Sequence, residues 1–246
     1  MTPRLSVVIP AYNEGVAIVP VLDRIAENVA LPHEVLVVYD SPDDATAPIV
    51  DDYANSNHRV RGVLNTYGRG PANAIRFGIE HAQAPVVVVT MADGSDDPRQ
   101  IDDLARLVER GVVVAAASRY APGGQQVGGP AFKSLLSRLA GLSLFWLCRI
   151  GTRDATNSFK AYSRDFVREV GIDSRHGFEL GLELTAKARR LRRPVAEIPT
   201  IWLDRDQGVS NFKLAAWIPH YLRWYWFAFG PRLTVEALDT RRRAQD

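Results

Sequence analysis

Hydrophobic and polar positions alternate between two rhythms along the first half of the chain. Continuous apolar, largely β-branched runs at residues 5–10, 34–39, 60–65, 85–90 and 111–117 read as strands covered on both faces. Between them, apolar residues recur at helical spacing over 16–30, 45–55, 71–81 and 97–110. Pro71 stands where a helix start tolerates a missing N–H. Strands separated by helices predict an α/β fold with a mostly parallel sheet flanked by helices. The second half changes character. Residues 121–130 form a Gly/Gln loop of the kind that closes over a ligand, and 132–149 read as a long apolar helix. Residues 158–163 and 195–203 read as further strands, 178–193 as an amphipathic helix ending in a basic cluster, and 204–211 as a polar loop. No repeat or linker interrupts the pattern. It predicts one unit, with a body over 1–213 and an aromatic, amphipathic helical segment over 214–246.

The chain has 246 residues, 46% hydrophobic and 24% charged, which suits one larger α/β domain. A net charge of +2 is too weak to point to nucleic acid. A single cysteine, Cys148, allows no internal disulfide, so a reducing, cytoplasmic setting is the natural reading. The run at 5–10 is too short for a signal peptide, with Asn13 and Glu14 close behind. No stretch reaches the roughly 18 apolar residues of a membrane span. Residues 214–230 come nearest, but Pro219, His220 and Arg223 interrupt them, and they are aromatic-rich from Trp217 to Phe229. Such a segment suits a helix lying in a membrane interface. The alternative is packing on the domain itself or on a second subunit, in a homo-oligomer or beside a separate membrane subunit. Arg241, Arg242 and Arg243 fit either contact with anionic lipid or a solvated tail.

Open parallel sheets bind ligands at the carboxyl ends of their strands. Those ends carry Pro10 to Glu14, then Asp40, Asp43 and Asp44, then Gly68, Arg69 and Gly70, then Met91 to Asp97, then Ser118 to Tyr120. An acidic edge repels a phosphate unless a hard divalent cation bridges the two, and that cation also stabilises a leaving diphosphate. Arg119, Lys133, Arg205 and Lys213 are available to add positive charge. Asp96 and Asp97 read as caps of the next helix, since Pro98 follows, whereas Asp93 lies closer to the strand end and reads as functional.

The segment Pro10-Ala11-Tyr12-Asn13-Glu14, the Asp40 turn and the Asp93 turn together resemble glycosyltransferase family 2, with its Rossmann-like GT-A fold. The similarity is closest to dolichol-phosphate mannose synthase-like enzymes. It continues through Ser118-Arg119-Tyr120 with Gly123-Gly124, through Asp154 to Lys160, which is similar to a D-x-T-S-G-F-[KR] segment, and through Arg205 to Lys213, similar to an R-x-x-G-x-S-K loop.

The resemblance implies roles. Pro10, Tyr12, Glu14 and Asp40 would line the base and ribose pocket, with Gly68 and Gly70 close to the nucleotide. Ala92, Asp93 and Ser95 would form the donor turn, with Asp93 standing for the last carboxylate of a DxD motif and holding Mg²⁺ or Mn²⁺. Arg119, Lys133 and Ser137 would bind an acceptor phosphate; Lys133 and Ser137, four apart, share a helix face. Arg205 and Lys213 would reach the donor diphosphate. The sequence departs from the family at Met91, where the first DxD carboxylate is expected and where a thioether is a poor ligand for such ions. It departs again at Tyr39, in place of an acidic residue, and at Asn211, in place of Lys.

These features imply inverting transfer of a sugar from a GDP- or UDP-linked donor to a polyprenyl or dolichyl phosphate at the cytoplasmic face of a membrane. An ionised phosphate needs no general base. A sugar hydroxyl would, and Glu179 and Glu183 are then candidates, although orienting Arg or Lys side chains is the simpler role for them. A soluble transferase acting on a saccharide, and a weakened nucleotide-sugar-binding subunit suggested by Met91, remain as alternatives. No G-x-G-x-x-G follows the first strand, which disfavours a dehydrogenase.

Overall fold

The five apolar runs of the first half become β1 (Leu5–Ala11), β2 (His33–Tyr39), β3 (Val60–Leu64), β4 (Val86–Val89) and β5 (Val114–Ser118). The computed structural model describes residues 2–204 and 214–243, with 133, 214–216 and 243 described by their backbone alone. Every residue of β1, β2, β4 and β5 is buried, as expected for strands covered on both sides. Side chains alternate between the faces. Leu5, Val7 and Ile9 meet Ile18, Leu22 and Ile25 of α1 (Ile18–Asn28) and Ile101 and Leu104 of α4 (Ile101–Glu109) on one face. Val8, Leu36 and Val38 meet Ile75 and Ile79 of α3 (Pro71–His81) and Leu180 and Leu184 of α7 (Leu180–Arg190) on the other. Helix α2 (Thr46–Ser56) packs beside β3.

The seven-stranded sheet has the order β3-β2-β1-β4-β7-β5-β8. Strand β7 (Lys160–Ser163) runs antiparallel between β4 and β5, and all other neighbours are parallel. The sheet is therefore mostly parallel, with its one reversed strand drawn from the second half. The run at 195–203 is not one strand. It divides at Pro199 into β8 (Val195–Pro199), which closes the main sheet, and β9 (Ile201–Leu203), which pairs with β6 (Gln125–Val127). Thr200 makes the crossing: its N–H donates to Ser118 and its carbonyl accepts from Gln125. Strand β6 falls inside the Gly/Gln stretch that reads as loop.

The helix over 132–149 also divides. Helix α5 (Ala131–Ser143) passes into a wider π-turn over Leu144–Cys148, and Arg149, with φ +56°, ends it in the left-handed region. Two short helices complete the chain: α6 (Arg164–Val170), capped by the Ser163 hydroxyl and outside the runs read from the sequence, and α9 (Val235–Arg243), within the C-terminal segment read as helical. The aromatic segment is α8 (Leu214–Ala228). Its Trp224 and Ala228 are buried against Leu182 and Ala186 of α7 and Leu144 and Cys148 of the π-turn.

Helix α5 lies so close to the loop before β7 that a Cβ on Gly141 would stand 2.0 Å from the Arg153 carbonyl oxygen. A methyl group there meets backbone, which cannot rotate away. Gly141→Ala is expected to lower stability by about 1–3 kcal/mol despite its better helix propensity, as read by urea unfolding.

Candidate active site

The carboxyl ends of β1, β2, β4 and β5 open into a cleft of ≈ 1210 Å³. Its polar half starts at the turn after β1. Pro10, Ala11, Tyr12 and Glu14 line it, with Tyr12 exposed. This turn is tied to the next: Asp44 accepts from the Asn13 N–H at 3.0 Å and the Thr46 N–H at 2.8 Å, and the Thr46 hydroxyl accepts from the Glu14 N–H. Asp44 is thereby consumed in holding two loops together. Asp40 lines the cleft and is itself oriented, its two oxygens accepting from Asn65 Nδ2 and the Gly70 N–H, both at 2.7 Å. Gly70 has φ +122°, where a side chain would be strained. Arg69, Gly70 and Pro71 reach the cleft, whereas Gly68 stands behind them, its carbonyl accepting from Asn65. The ring of Tyr39 turns the other way and packs against Gly62.

Met91, Ala92, Asp93 and Ser95 line the cleft after β4. Asp93 accepts from the Ser95 N–H at 3.1 Å. Asp97 caps the following turn through the Arg99 N–H, as the Pro98 context predicts. Asp96 does not cap it. Its carboxylate folds back under the strand end, accepting from the Thr90 hydroxyl and the Met91 N–H at 3.0 Å each. Burial, with the neighbouring Asp93 charge, pushes the Asp96 carboxyl up to about 7, while the Met91 and Thr90 hydrogen bonds and Arg119 oppose the rise. Asp96 is thus turned away from the cleft and does not replace the carboxylate missing at Met91. Among the described residues no group of three or more His, Cys, Asp or Glu side chains is arranged to hold a metal ion by itself. A cation held here would have Asp93 as its protein carboxylate and would take its other ligands from diphosphate oxygens and water, a donor set that suits Mg²⁺ or Mn²⁺.

At the middle of the cleft Arg119 and Ser137 come together, with Arg119 Nη2 donating to Ser137 Oγ at 3.2 Å. Arg119 also forks onto Asp154, Nε to Oδ2 at 2.7 Å and Nη2 to Oδ1 at 2.9 Å, and its own N–H adds a third bond at 3.0 Å. Burial disfavours both charges, yet each holds the other ionised: the guanidinium is raised above its ordinary value and the Asp154 carboxyl is lowered. Ser137 Oγ lies 2.7 Å from Thr156 Oγ1 and accepts from the Tyr120 hydroxyl at 3.1 Å. Lys133 sits one turn earlier on α5, and its side chain lies outside the described residues, as do Arg205 and Lys213.

Beyond this junction the lining becomes apolar. Leu136, Leu139 and Ala140 of α5 face Ile218, Tyr221 and Leu222 of α8. Ser143 and the Tyr225 hydroxyl, 2.9 Å apart, tie the two helices at the far end. Neither Glu179 nor Glu183 enters the cleft. Glu179 accepts from the His176 and Gly177 N–H groups, and Glu183 from the Asp173 and Ser174 N–H groups and from Lys187 at 2.5 Å. Both are structural: Glu183 holds Lys187, as the simpler reading has it, whereas Glu179 braces backbone N–H groups and is shown orienting no Arg or Lys side chain.

A family model described as glycosyl transferase family 2 matches residues 6–171. The chain belongs to glycosyltransferase family 2. It is 30% identical over 233 residues to the polyprenol monophosphomannose synthase of Mycolicibacterium smegmatis, covering 88% of this chain and 87% of that one. It is 29% identical over 215 residues to the undecaprenyl-phosphate mannosyltransferase of Micrococcus luteus, covering 85% and 87%. Among solved structures it is similar to the glucosyl-3-phosphoglycerate synthase of Mycobacterium tuberculosis in complex with Mn²⁺, UDP-glucose and phosphoglyceric acid. That likeness has a TM-score of 0.68 at 17% identity and covers 94% of this chain and 81% of that one. The fold is that of the GT-A glycosyltransferases, and the protein is a glycosyltransferase.

Several cleft residues of this family 2 enzyme are hard to read from sequence. Arg69 hides between two glycines, and Trp202 belongs to a strand whose break at Pro199 gives no periodic signal. Thr156 and Asn157 lie in a recognisable segment, but their contacts with Ser137 and the Ala117 carbonyl need the fold.

Because the folded-state value of Asp96 is raised, its contribution to stability is complete below the unfolded value of about 3.9 and is lost as pH rises through about 7. Asn can accept the same two bonds without a charge. Asp96→Asn is therefore expected to be better tolerated at pH 8 than at pH 5, with its stability relative to wild type improving by on the order of 2 kcal/mol between the two. Urea unfolding at both pH values measures this.

Proposed function

We propose that this glycosyltransferase moves a sugar, with inversion, from a GDP- or UDP-linked donor to a polyprenyl phosphate at the cytoplasmic face of a membrane. One observation carries the reading: a single cleft runs from the carboxylates Asp40 and Asp93, past the Arg119–Ser137 junction, into an apolar slot between α5 and α8. Its polar end suits a nucleotide, its centre an anionic group, and its far end a hydrocarbon chain. Relatives named for polyprenol- and undecaprenyl-phosphate mannose transfer support this class of acceptor.

Tyr12, Glu14 and Asp40 hold the base and ribose, with Arg69, Gly70 and Ala92 beside them. Asp93 and Ser95 face the diphosphate. Asp93 would hold a divalent ion, which when bound would supply neutralisation of charge on the diphosphate; the similar solved structure with Mn²⁺ and UDP-glucose supports such an ion. The family resemblance assigns the diphosphate to Arg205 and Lys213, and the acceptor phosphate to Lys133 together with Arg119 and Ser137. An oxygen of that phosphate attacks the anomeric carbon while the bond to the diphosphate oxygen breaks. The attacking group is already ionised, so no side chain has to remove a proton, in keeping with the burial of Glu179 and Glu183 outside the cleft.

Residues 1–213 and 214–246 act as one unit, since α8 supplies a wall of the acceptor slot. Among the described residues no helix is long and apolar enough to cross a membrane. Contact is peripheral: Trp146 of the π-turn and Trp226 of α8 are 69% and 66% exposed, and residues 131–149 and 214–232 contain no Asp or Glu.

A ligand that binds only the folded state raises the melting temperature. Thermal-shift titrations with GDP-, UDP- and dTDP-sugars, with and without Mg²⁺ or Mn²⁺, are expected to show a cation-dependent rise with one nucleotide. Asp93→Ala is expected to abolish the cation dependence. A rise equal with and without cation would contradict the assignment of Asp93.

A further inference from the structure

The residues that meet the acceptor are aimed from one loop, between the π-turn and β7. Asp154 takes the Arg119 fork, Thr156 meets Ser137, and Asn157 Nδ2 anchors the loop to the Ala117 carbonyl at 2.8 Å. Beneath that loop lies Lys160, the first residue of β7, fully buried. Its Nζ donates to the carbonyls of Asp154 at 3.4 Å and Ala155 at 3.2 Å, and in a shorter contact to that of Asn157. The floor is α7. A Cβ on Gly181 would stand 3.3 Å from Lys160 Nζ and 3.1 Å from the Asn157 carbonyl oxygen, so glycine leaves the room that the ammonium occupies.

A buried ammonium is costly, and an apolar side chain would fill the same space at no such cost. What an apolar side chain cannot do is gather three converging carbonyls. Without a donor between them these would be unpaired, and the loop would relax to find other partners.

We propose that Lys160 is a positioning residue for the acceptor site: its ammonium draws in the carbonyls of Asp154, Ala155 and Asn157 and so fixes the loop that aims Arg119 and Ser137. This rests on the acceptor reading given above. The charged and titratable groups facing Lys160 are Asp154 from the loop, Arg119 from the end of β5 and Asp96 from the turn after β4. The Tyr162 phenol lies beside Gly181, with Glu183 acting on it from α7. Burial pushes the Lys160 ammonium down to about 7, with Asp154 opposing.

The test uses the full chain with Lys160→Met and Lys160→Arg. Three quantities are read: KM for a short-chain polyprenyl phosphate, Kd for the nucleotide sugar, and amide-exchange protection of residues 153–158. Lys160→Met is expected to raise the acceptor KM at least tenfold and to lower loop protection at least tenfold. Nucleotide-sugar Kd should stay within twofold and protection of β1 and β4 should not change. Lys160→Arg, which keeps a cation, is expected to recover part of both losses. Unchanged loop protection overturns the proposal, as does an equal loss across sheet, loop and donor affinity. If Lys160→Met does not fold, Lys160→Gln takes its place, its amide donors reaching fewer than the three carbonyls, and the same loop readout decides. A wild type that glycosylates no polyprenyl phosphate refutes the acceptor reading, while loop protection still decides the role of Lys160.

Discussion

Arg119 and Asp154 meet where little solvent reaches either, the Asp154 side chain being fully buried and that of Arg119 12% exposed. A pair in this setting is worth little as a net source of stability, but removing one partner costs about 3–5 kcal/mol because it strands the other charge. The pair is therefore a constraint. It joins the end of β5 to the loop before β7, and through Ser137 it draws in α5. The reversed direction of β7 makes this possible, since a strand antiparallel to β4 and β5 delivers the loop that precedes it to the carboxyl ends of its neighbours.

From that joint the two halves of the cleft differ in how they are held. The side proposed for the donor is a set of turns braced by carboxylates that accept backbone N–H groups: Asp44 between the first two turns, Asp40 onto Gly70, Asp96 onto Met91. The side proposed for the acceptor is helical and apolar, with α8 fastened through Trp224 beneath and Tyr225 to Ser143. The departures from family pattern fall on the donor side. Tyr39 leaves the cleft to fill space beside Gly62, and Met91 leaves Asp93 as the carboxylate of the cation turn while Asp96 is spent on the backbone. Under the proposed function a cation would be held by protein and nucleotide together.

Much of this was legible before folding was considered, because the informative signals are local. Valine-rich runs can only be covered strands, and the polar residues that close them fall at one sheet edge, which placed Asp40, Asp93 and Arg119 in a common cleft. The unread features depend on distant partners. Whether 195–203 was one strand or two turned on Thr200 bonding to Ser118 and Gln125, far away in sequence. Asp96 and Asp97 look alike beside Pro98, yet only Asp97 caps. The difference is that Asp96 finds Thr90 and Met91 behind it. The partner of Arg119 sits 35 residues away, visible in a motif but not as a pair.

Reception of an ionised phosphate, carried on a hydrocarbon chain, at the anion-binding Arg119 junction is the proposed role of the cleft. It is tested most directly by offering the protein labelled nucleotide-mannose or nucleotide-glucose with a short polyprenyl phosphate, and separately with the matching polyprenol, and measuring label that enters the organic phase. Transfer to the phosphate and none to the alcohol is the predicted result. Equal transfer to both, or transfer only to a water-soluble saccharide, would contradict it.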